Sequence, residues 1–354
     1  MLNRKQQNPP IRRANRFFLI HINKNEILTS KIDITRQPLL LALATSLVLT
    51  VLGLLFRLPF NAPLPAMSIE TPLGALLAAF QRSHHGWSVA AVFLTAISSA
   101  YLVTRSTVRY DLYMRRTYIA MVMFSLCACC LFGCEEWLRS WATLLTLQLA
   151  CRNFEAGFRR SYAFGETFRG AFFLGLVPLI YAPAATVLLI LPVLIFLFRR
   201  PAREVPVALV GVCLPWAITS YVWWGMGYEL DYVVNSTIAA ALTESGYSLF
   251  GGAGLFDLLA MGTVLFVVLM SVGVYLLELG TLKFKARRIH VFYVLLAAMI
   301  LSSSLAAGSD CCTWLLMSMP LAVSMPLLFV RAEVRFSMIT YLLLLGLTVL
   351  SLIG

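Results

Sequence analysis

The sequence predicts an all-α polytopic membrane protein with about eleven transmembrane helices. Of its 354 residues, 60% are hydrophobic and only 12% are charged, and the mean hydropathy is +0.83. These values lie far outside the range of soluble domains, and the polar intervals are too short for a separate soluble catalytic domain. Apolar runs that suit a ~30 Å hydrocarbon core recur along the chain, with basic residues concentrated in alternate intervals between them.

The N-terminal segment 1–37 is predicted to be a basic cytoplasmic arm. Its two acidic residues, Glu26 and Asp33, are outnumbered by basic ones: Arg4, Lys5, Arg12, Arg13, Arg16, Lys24, Lys31 and Arg36. The segment is too long and too polar for the charged start of a cleaved signal peptide. We expect it to orient the first span next to the anionic inner leaflet, and we assign residues 38–354 to a single transmembrane domain.

The candidate spans are 38–57, 87–104, 117–134, 137–151, 166–182, 183–198, 205–224, 258–278, 289–307, 312–330 and 337–353. A cytoplasmic start places the loops 105–116, 152–165, 199–204, 279–288 and 331–336 inside. All but three of the 28 Lys and Arg residues then lie on the cytoplasmic side; the exceptions are Arg57, Arg82 and Arg139. Because basic residues stay on the cytoplasmic side, this asymmetry predicts a cytoplasmic N-terminus and an exterior C-terminus.

The segment 166–198 is predicted to be a short-armed membrane hairpin. It has no charged residue between Arg169 and Arg199, and it is too long for one helix across the hydrocarbon core. Pro183 near its middle lacks a backbone N–H and restricts the residue before it, which favours a turn. With basic residues at both ends, the apex near Pro183 should face the exterior.

Two exterior loops stand out by their length, 58–86 and 225–257. In the first, Pro72–Gln81 is predicted to form a short helix on the membrane surface, with Thr71 as its N-cap. Eight acidic residues fall outside: Glu70, Glu135, Glu136, Glu229, Asp231, Glu244, Asp257 and Asp310. A net negative exterior suits a divalent metal ion, a cationic group or a general base, although solvated loops also carry such carboxylates.

The first exterior loop holds the main candidate catalytic residues. Glu70 is a candidate base or metal ligand, and Arg82 is a candidate ligand for a phosphate. His84 and His85 are candidate catalytic residues, because imidazole is a common acid–base group in enzymes. Adjacent histidines point in different directions, so His84 and His85 alone would chelate a metal poorly. The alternative is an ordinary interfacial loop, and the metal, if there is one, stays unidentified.

A second exterior group, Glu135, Glu136 and Arg139, is a candidate substrate-binding group. The i,i+4 spacing of Glu135 and Arg139 also predicts a local ion pair with no further role. Cys311 and Cys312 are predicted to be exterior and to be packing residues or incidentally exposed side chains. Six tryptophans near predicted span ends are expected to be interfacial anchors: Trp87, Trp137, Trp141, Trp223, Trp224 and Trp314.

A basic loop leads into GAFFLGLVPLIYAPAATVLLILPVLIFLFRR and then VPVALVGVCLPWAITSYVW. This pattern resembles the core of membrane glycosyltransferases that use polyprenyl-phosphate sugars. In length and order, the chain is also similar to an uncharacterised multi-spanning inner-membrane family of Bacteroidota. The resemblance covers roughly residues 38–230 and rests on the spacing of apolar runs and of the polar intervals between them.

The resemblance implies a bacterial inner-membrane protein with an acidic catalytic residue in the first exterior loop, where Glu70 stands. It also implies a paired acidic motif, for which Glu135 and Glu136 are the only adjacent pair. The chain departs from the glycosyltransferases because its first exterior loop has no acidic pair and no soluble acceptor-binding domain follows.

We therefore expect a protein that acts on a lipid-linked sugar or envelope glycolipid in an exterior cavity roofed by 58–86 and 225–257. A polyprenyl-phosphate or glycolipid would be the substrate, and no nucleic acid is implied. The alternative is a non-catalytic transporter or an assembly subunit of a cell-envelope complex, with membrane-protein partners. A buried charged residue in the middle of a span would favour the transporter.

Overall fold

The structure, a computed structural model, describes residues 34–57, 71–129, 136–158, 162–198, 201–243, 255–278 and 280–353, and all regular structure in these ranges is helical. The α-helices are α1 Leu39–Arg57, α2 Pro72–Ser83, α3 His85–Arg109, α4 Ile119–Cys129, α5 Trp137–Gly157, α6 Phe164–Ile180, α7 Ile190–Leu197, α8 Glu204–Gly225, α9 Tyr232–Leu242, α10 Leu255–Leu277, α11 Phe284–Ser303, α12 Cys311–Ser324, α13 Pro326–Arg331 and α14 Val334–Ile353. A 3₁₀ helix, Ala182–Leu189, joins α6 to α7.

The all-helical prediction is confirmed for the described residues, and each predicted span contains a helix. By length and composition, six segments within these ranges can each cross a membrane: Leu39–Phe56, His85–Arg109, Glu204–Gly225, Leu255–Leu277, Cys311–Arg331 and Val334–Leu352. The chain is therefore a multi-pass membrane protein. The other apolar helices are shorter, so helix length alone does not confirm the predicted count of eleven.

The segments that connect the helices lie at two opposite ends of the bundle. At one end, contacts join segments that the sequence places outside: Arg139 with Asp310, Thr71 with Ile180, and Gly308 with Ala241. At the other end, they join segments predicted to be cytoplasmic: Lys283 with Asp111, Arg331 with Glu278, and Ala163 with Glu204. We refer to these as the Arg139 end and the Glu155 end, the latter after a buried glutamate described below.

The chain turns back between α6 and α8, as the hairpin prediction requires. A Cβ on Gly211 would lie 2.8 Å from that of Ala171, and one on Gly175 would lie 2.5 Å from the Val212 carbonyl oxygen. Residue numbers thus rise together along the two helices, so α6 and α8 are parallel and the segment between them must return. The break falls at Tyr181, directly before Ala182 and Pro183, because a proline cannot continue the hydrogen-bond ladder.

Helices α4, α5 and α12 form the centre of the bundle. Every residue of α4 is buried, and 72% of the apolar window in Cys311–Arg331 is buried, against 17% in α10. The exposed apolar faces of α8, α10 and α14 suit contact with lipid tails. The prediction that Trp137 and Trp141 are interfacial anchors is wrong, because both are 1% exposed in this centre, whereas Trp87 is 74% exposed.

Helix α2 confirms the helix predicted for Pro72–Gln81 and its N-cap. Thr71 is its N-cap and accepts a hydrogen bond from the Gly74 backbone N–H at 3.2 Å. The helix buries Pro72, Gly74, Ala78 and Gln81 and leaves its remaining residues more accessible. It packs against the Arg139 ends of α3, α5 and α6, so the segment after the first span lies across that end of the bundle.

Candidate functional site at the Arg139 end

An ion cluster stands at the beginning of α5. The Arg139 guanidinium pairs with the Glu136 carboxylate one turn earlier and with the Asp310 carboxylate at the start of α12. The three side chains are 12%, 10% and 21% exposed, so the cluster is mostly withdrawn from water but open on the Asp310 side. With one cation and two carboxylates, the cluster carries a formal charge of about −1 at neutral pH.

The hairpin turn contributes Tyr181 to the cluster. The Arg139 guanidinium carbon lies 5.6 Å from the centre of its ring, within cation–π range. The Tyr181 hydroxyl accepts a hydrogen bond from the Asp310 backbone N–H at 2.9 Å and pairs with the Thr313 hydroxyl at 2.7 Å. Asp310 also caps α12 by accepting from the Cys312 backbone N–H. The hairpin, α5 and α12 thus fix the guanidinium in one position.

One hydrogen-bond donor of Arg139 takes no part in these contacts. Its Nε–H is buried and has no hydrogen-bond partner among the described residues. Arginine presents its donors in a rigid planar fork that matches the oxygens of phosphates and carboxylates. Because the two terminal nitrogens are held by carboxylates, the Nε edge is the part of the group left for a ligand oxygen.

Two hydrogen bonds from its own polar residues hold α2 over this cluster. The Thr71 hydroxyl donates to the Ile180 carbonyl oxygen at 2.7 Å, and the Gln81 side-chain oxygen accepts from the Leu138 backbone N–H at 3.1 Å. The approach is close, since a Cβ on Gly74 would lie 2.8 Å from the Ile180 oxygen and 3.2 Å from Arg139 Cδ. Helix α2 therefore covers the base of Arg139 directly.

The predicted site residues fall into three groups. In the first group, Arg82, His84 and His85 are exposed where α2 passes into α3. The ring centres of His85 and Trp137 are 5.8 Å apart, and Trp137 lies two residues before Arg139. Glu136 and Arg139 form the ion cluster. Glu70 and Glu135 lie outside the described residues, so their predicted roles stay predictions.

The structure adds Asp310, which the sequence indicated only as one of eight exterior acids. Glu135, the partner expected for Arg139, lies outside the described residues, among which the partners of Arg139 are Glu136 and Asp310. No group of three or more His, Cys, Asp or Glu side chains suited to a metal ion occurs in the described part of the chain. The carboxylates of this cluster are instead satisfied by the guanidinium.

Both predicted roof segments reach this end. Helix α2 belongs to 58–86 and α9 to 225–257; the two helices contact each other, and α9 also contacts the 3₁₀ helix of the hairpin. The Gly308 backbone N–H donates to the Ala241 carbonyl at the end of α9, where a Cβ on Gly308 would overlap Ala240. The described part of the roof is closely packed at these points.

Cys311, next to Asp310, is disulfide-bonded, so the prediction that it is only a packing residue is wrong. Its partner lies outside the described residues, whereas Cys127, Cys129, Cys151 and Cys312 are buried and form no disulfide bond. A stable disulfide is typical of an oxidising compartment. The bond thus bears on which side of the membrane the Arg139 end faces.

The opposite end contains a buried carboxylate that the sequence analysis missed. Glu155 is 1% exposed, and its two oxygens accept hydrogen bonds from the hydroxyls of Ser106 on α3 and Tyr293 on α11, the latter at 2.6 Å. The predicted span ended at 151 and left Glu155 in a cytoplasmic loop, but α5 continues to Gly157. The carboxylate therefore joins three helices inside the bundle.

Comparison of the chain with protein-family models, with curated proteins and with solved structures finds no match.

Proposed function

We propose that this protein binds a lipid-linked sugar or envelope glycolipid at the Arg139 end and acts on it as a glycosyltransferase-like enzyme. The observation that carries the proposal is the buried Nε–H donor of Arg139, which has no hydrogen-bond partner among the described residues and lies beside two carboxylates beneath α2. A guanidinium donor binds a phosphate oxygen, and a neighbouring carboxylate can accept a proton from the attacking hydroxyl. Asp310, the most exposed member of the cluster, is the described residue best placed for that second role.

The position of α2 supports a lipid-borne substrate. The exposed Arg82, His84 and His85, where α2 passes into α3, lie at the same end of the bundle as the cluster, and the exposed Trp87 follows them. Basic and aromatic side chains at a membrane interface suit the headgroup of an anionic lipid. Glu70, one residue before Thr71, remains the candidate base or divalent-metal ligand.

We further propose that all eleven segments cross a bacterial inner membrane, with the Arg139 end exterior. The separation of the connections into two ends supports the crossings, because consecutive segments join opposite ends. The concentration of Lys and Arg in the predicted inner loops supports the orientation, and so does the disulfide bond of Cys311 at the Arg139 end.

The orientation predicts an asymmetry in cysteine labelling. We expect Ala307→Cys, in the exposed loop before α12, to react with a membrane-impermeant maleimide in intact cells. Arg115→Cys, in the exposed loop before α4, should react only after the membrane is permeabilised. Labelling is read on the purified protein, with the unsubstituted chain as background. The reverse pattern would overturn the orientation, and labelling of both positions in intact cells would overturn the crossing pattern.

The enzymatic proposal predicts a change in envelope glycolipids. In a strain that lacks the gene, a lipid-linked saccharide should accumulate, and wild-type protein should clear it. Asp310→Asn and Glu70→Gln should each fail to clear it at normal expression, because each removes a carboxylate while preserving size. Loss of a general base typically lowers a rate by about 10²–10⁴-fold. Extracted glycolipids are profiled by mass spectrometry.

The matched control is Asp111→Asn, which removes a carboxylate from a more exposed ion pair at the Glu155 end. It should clear the intermediate as wild type does. An unchanged profile in the deletion strain, or full rescue by both site variants, would contradict the enzymatic proposal. The transporter or assembly subunit would then be the better account.

A further inference from the structure

Three buried polar atoms between α3 and α5 have no hydrogen-bond partner among the described residues. They are the Ser99 hydroxyl oxygen and both amide atoms of Gln148, in residues that are 0% and 1% exposed. Buried polar groups in native proteins are nearly always bonded to protein or to ordered water, because an unsatisfied one is destabilising. A ligand that both donates and accepts hydrogen bonds would satisfy all three.

The packing of α3 and α5 places these atoms at one level. The two helices are parallel, since His85 contacts Trp137 at one end and Ser106 donates to Glu155 at the other. Ser99 lies about two helical turns before Ser106 on α3, and Gln148 lies about two turns before Glu155 on α5. Each is therefore about 10 Å along the helix axis from the second contact. Two turns also return each residue to the helix face that makes the contact, so both lie in the α3–α5 interface.

Glu155 lies next along this interface. Helical side chains tilt toward the N-terminus of their helix, which directs the carboxyl group of Glu155 toward the level of Gln148. The groups that face the carboxyl are Ser106 and Arg109 from α3, Tyr293 from α11, and Cys151 from its own helix. Both hydroxyls donate to it, so a protonated Glu155 needs a new acceptor for its own O–H.

Toward the Arg139 end the interface is apolar. Leu144 and Trp141 continue the Gln148 side of α5 and are 0% and 1% exposed, and Val92 and Ala96 continue the Ser99 side of α3. The polar layer is therefore bounded by apolar side chains on that side. It is separate from the ion cluster at Arg139.

We propose that a short chain of water molecules lies between Ser99, Gln148 and Glu155 and that Glu155 is a proton-binding site. Water donates to the Gln148 carbonyl oxygen and the Ser99 hydroxyl, and accepts from the Gln148 amide. On protonation, a hydronium ion from the Glu155 end gives its proton to a Glu155 carboxylate oxygen and leaves as water. The new O–H donates to the first water of the chain. This site does not depend on the glycolipid proposal.

Infrared difference spectroscopy of the full chain in lipid bilayers tests the site. A downward pH step should produce a carboxylic-acid C=O band that Glu155→Gln removes. In Ser99→Ala/Gln148→Leu the band should move to the position of an acid without a water acceptor. The wild-type water O–H band that shifts in H₂¹⁸O should vanish in that double variant.

The matched control is Leu144→Met, a volume-conserving change one turn from Gln148, which should leave both bands unchanged. If Glu155→Gln removes no band, Glu155 binds no proton and the proposal fails. If the double variant leaves both bands in place, the layer is dry and the proposed water chain does not exist. Ser99→Ala alone, which removes one water partner and should shift the band less, serves if the double variant does not fold.

Discussion

Arg139→Leu is expected to lower the free energy of unfolding by about 3–5 kcal/mol. The substitution leaves two carboxylates, Glu136 and Asp310, mostly buried without their counter-charge, and it removes the cation–π contact with Tyr181. Breaking a buried ion pair by removing one partner is far more costly than the net value of the pair. The loss is measured by denaturant unfolding of the purified protein in detergent micelles.

Two variants separate this effect from a general cost of losing an arginine. Arg331→Leu removes the partner of Glu278 in a pair whose side chains are 30% and 26% exposed, and should cost only about 0–1 kcal/mol. Arg139→Leu combined with Glu136→Gln and Asp310→Asn removes all three charges and should recover much of the loss. Equal losses for Arg139→Leu and Arg331→Leu would show that the cluster is not effectively buried.

The parts of the fold that depend on local chemistry could be predicted from the sequence. The turn before Pro183 follows from a missing N–H, and the start of α2 follows from a threonine before a proline-led apolar run. Both signals act within a few residues, so no tertiary information was needed. The turn before Pro183 and the bounds of α2 were therefore predicted close to where the structure has them.

The site depended on contacts that the sequence could not rank. Asp310 meets Arg139 across 171 residues, and nothing in the local sequence separates it from the other exterior acids. Glu136 was indicated only together with Glu135. The burial of Trp137 and Trp141 likewise follows from the central position of α5, whereas their sequence positions near a predicted span end favoured the interface.

Glu155 shows how a small error in a helix boundary hides a buried charge. The hydropathy of α5 falls near Arg152 and Asn153, so the predicted span ended at 151. The helix continues to Gly157 because Ser106 and Tyr293 satisfy the carboxylate inside the bundle. Only the positions of α3 and α11 reveal this, since both partners come from distant segments of the chain.

Glu155→Leu is therefore expected to lower the free energy of unfolding by about 2–6 kcal/mol, because it leaves two buried hydroxyl donors without an acceptor at about 1–3 kcal/mol each. Tyr293→Phe removes only one hydroxyl and should cost less. In the double variant Glu155→Leu/Tyr293→Phe, the tyrosine hydroxyl that would lack an acceptor is absent. The loss of unfolding free energy in the double variant should therefore be about 0.5–3 kcal/mol smaller than the sum of the two single losses. Denaturant unfolding of the four proteins measures this coupling.

Tyr275→Phe serves as the control for the cycle, because that tyrosine donates to the Arg287 carbonyl oxygen instead of to Glu155. Its cost should add to that of Glu155→Leu within about 0.3–0.5 kcal/mol, as expected for sites without a shared partner. Coupling of Tyr275 as strong as that of Tyr293 would mean that Glu155 stabilises α11 as a whole. Coupling of Tyr293 alone would show that the carboxylate of Glu155 stabilises the fold through its hydrogen bond with the Tyr293 hydroxyl.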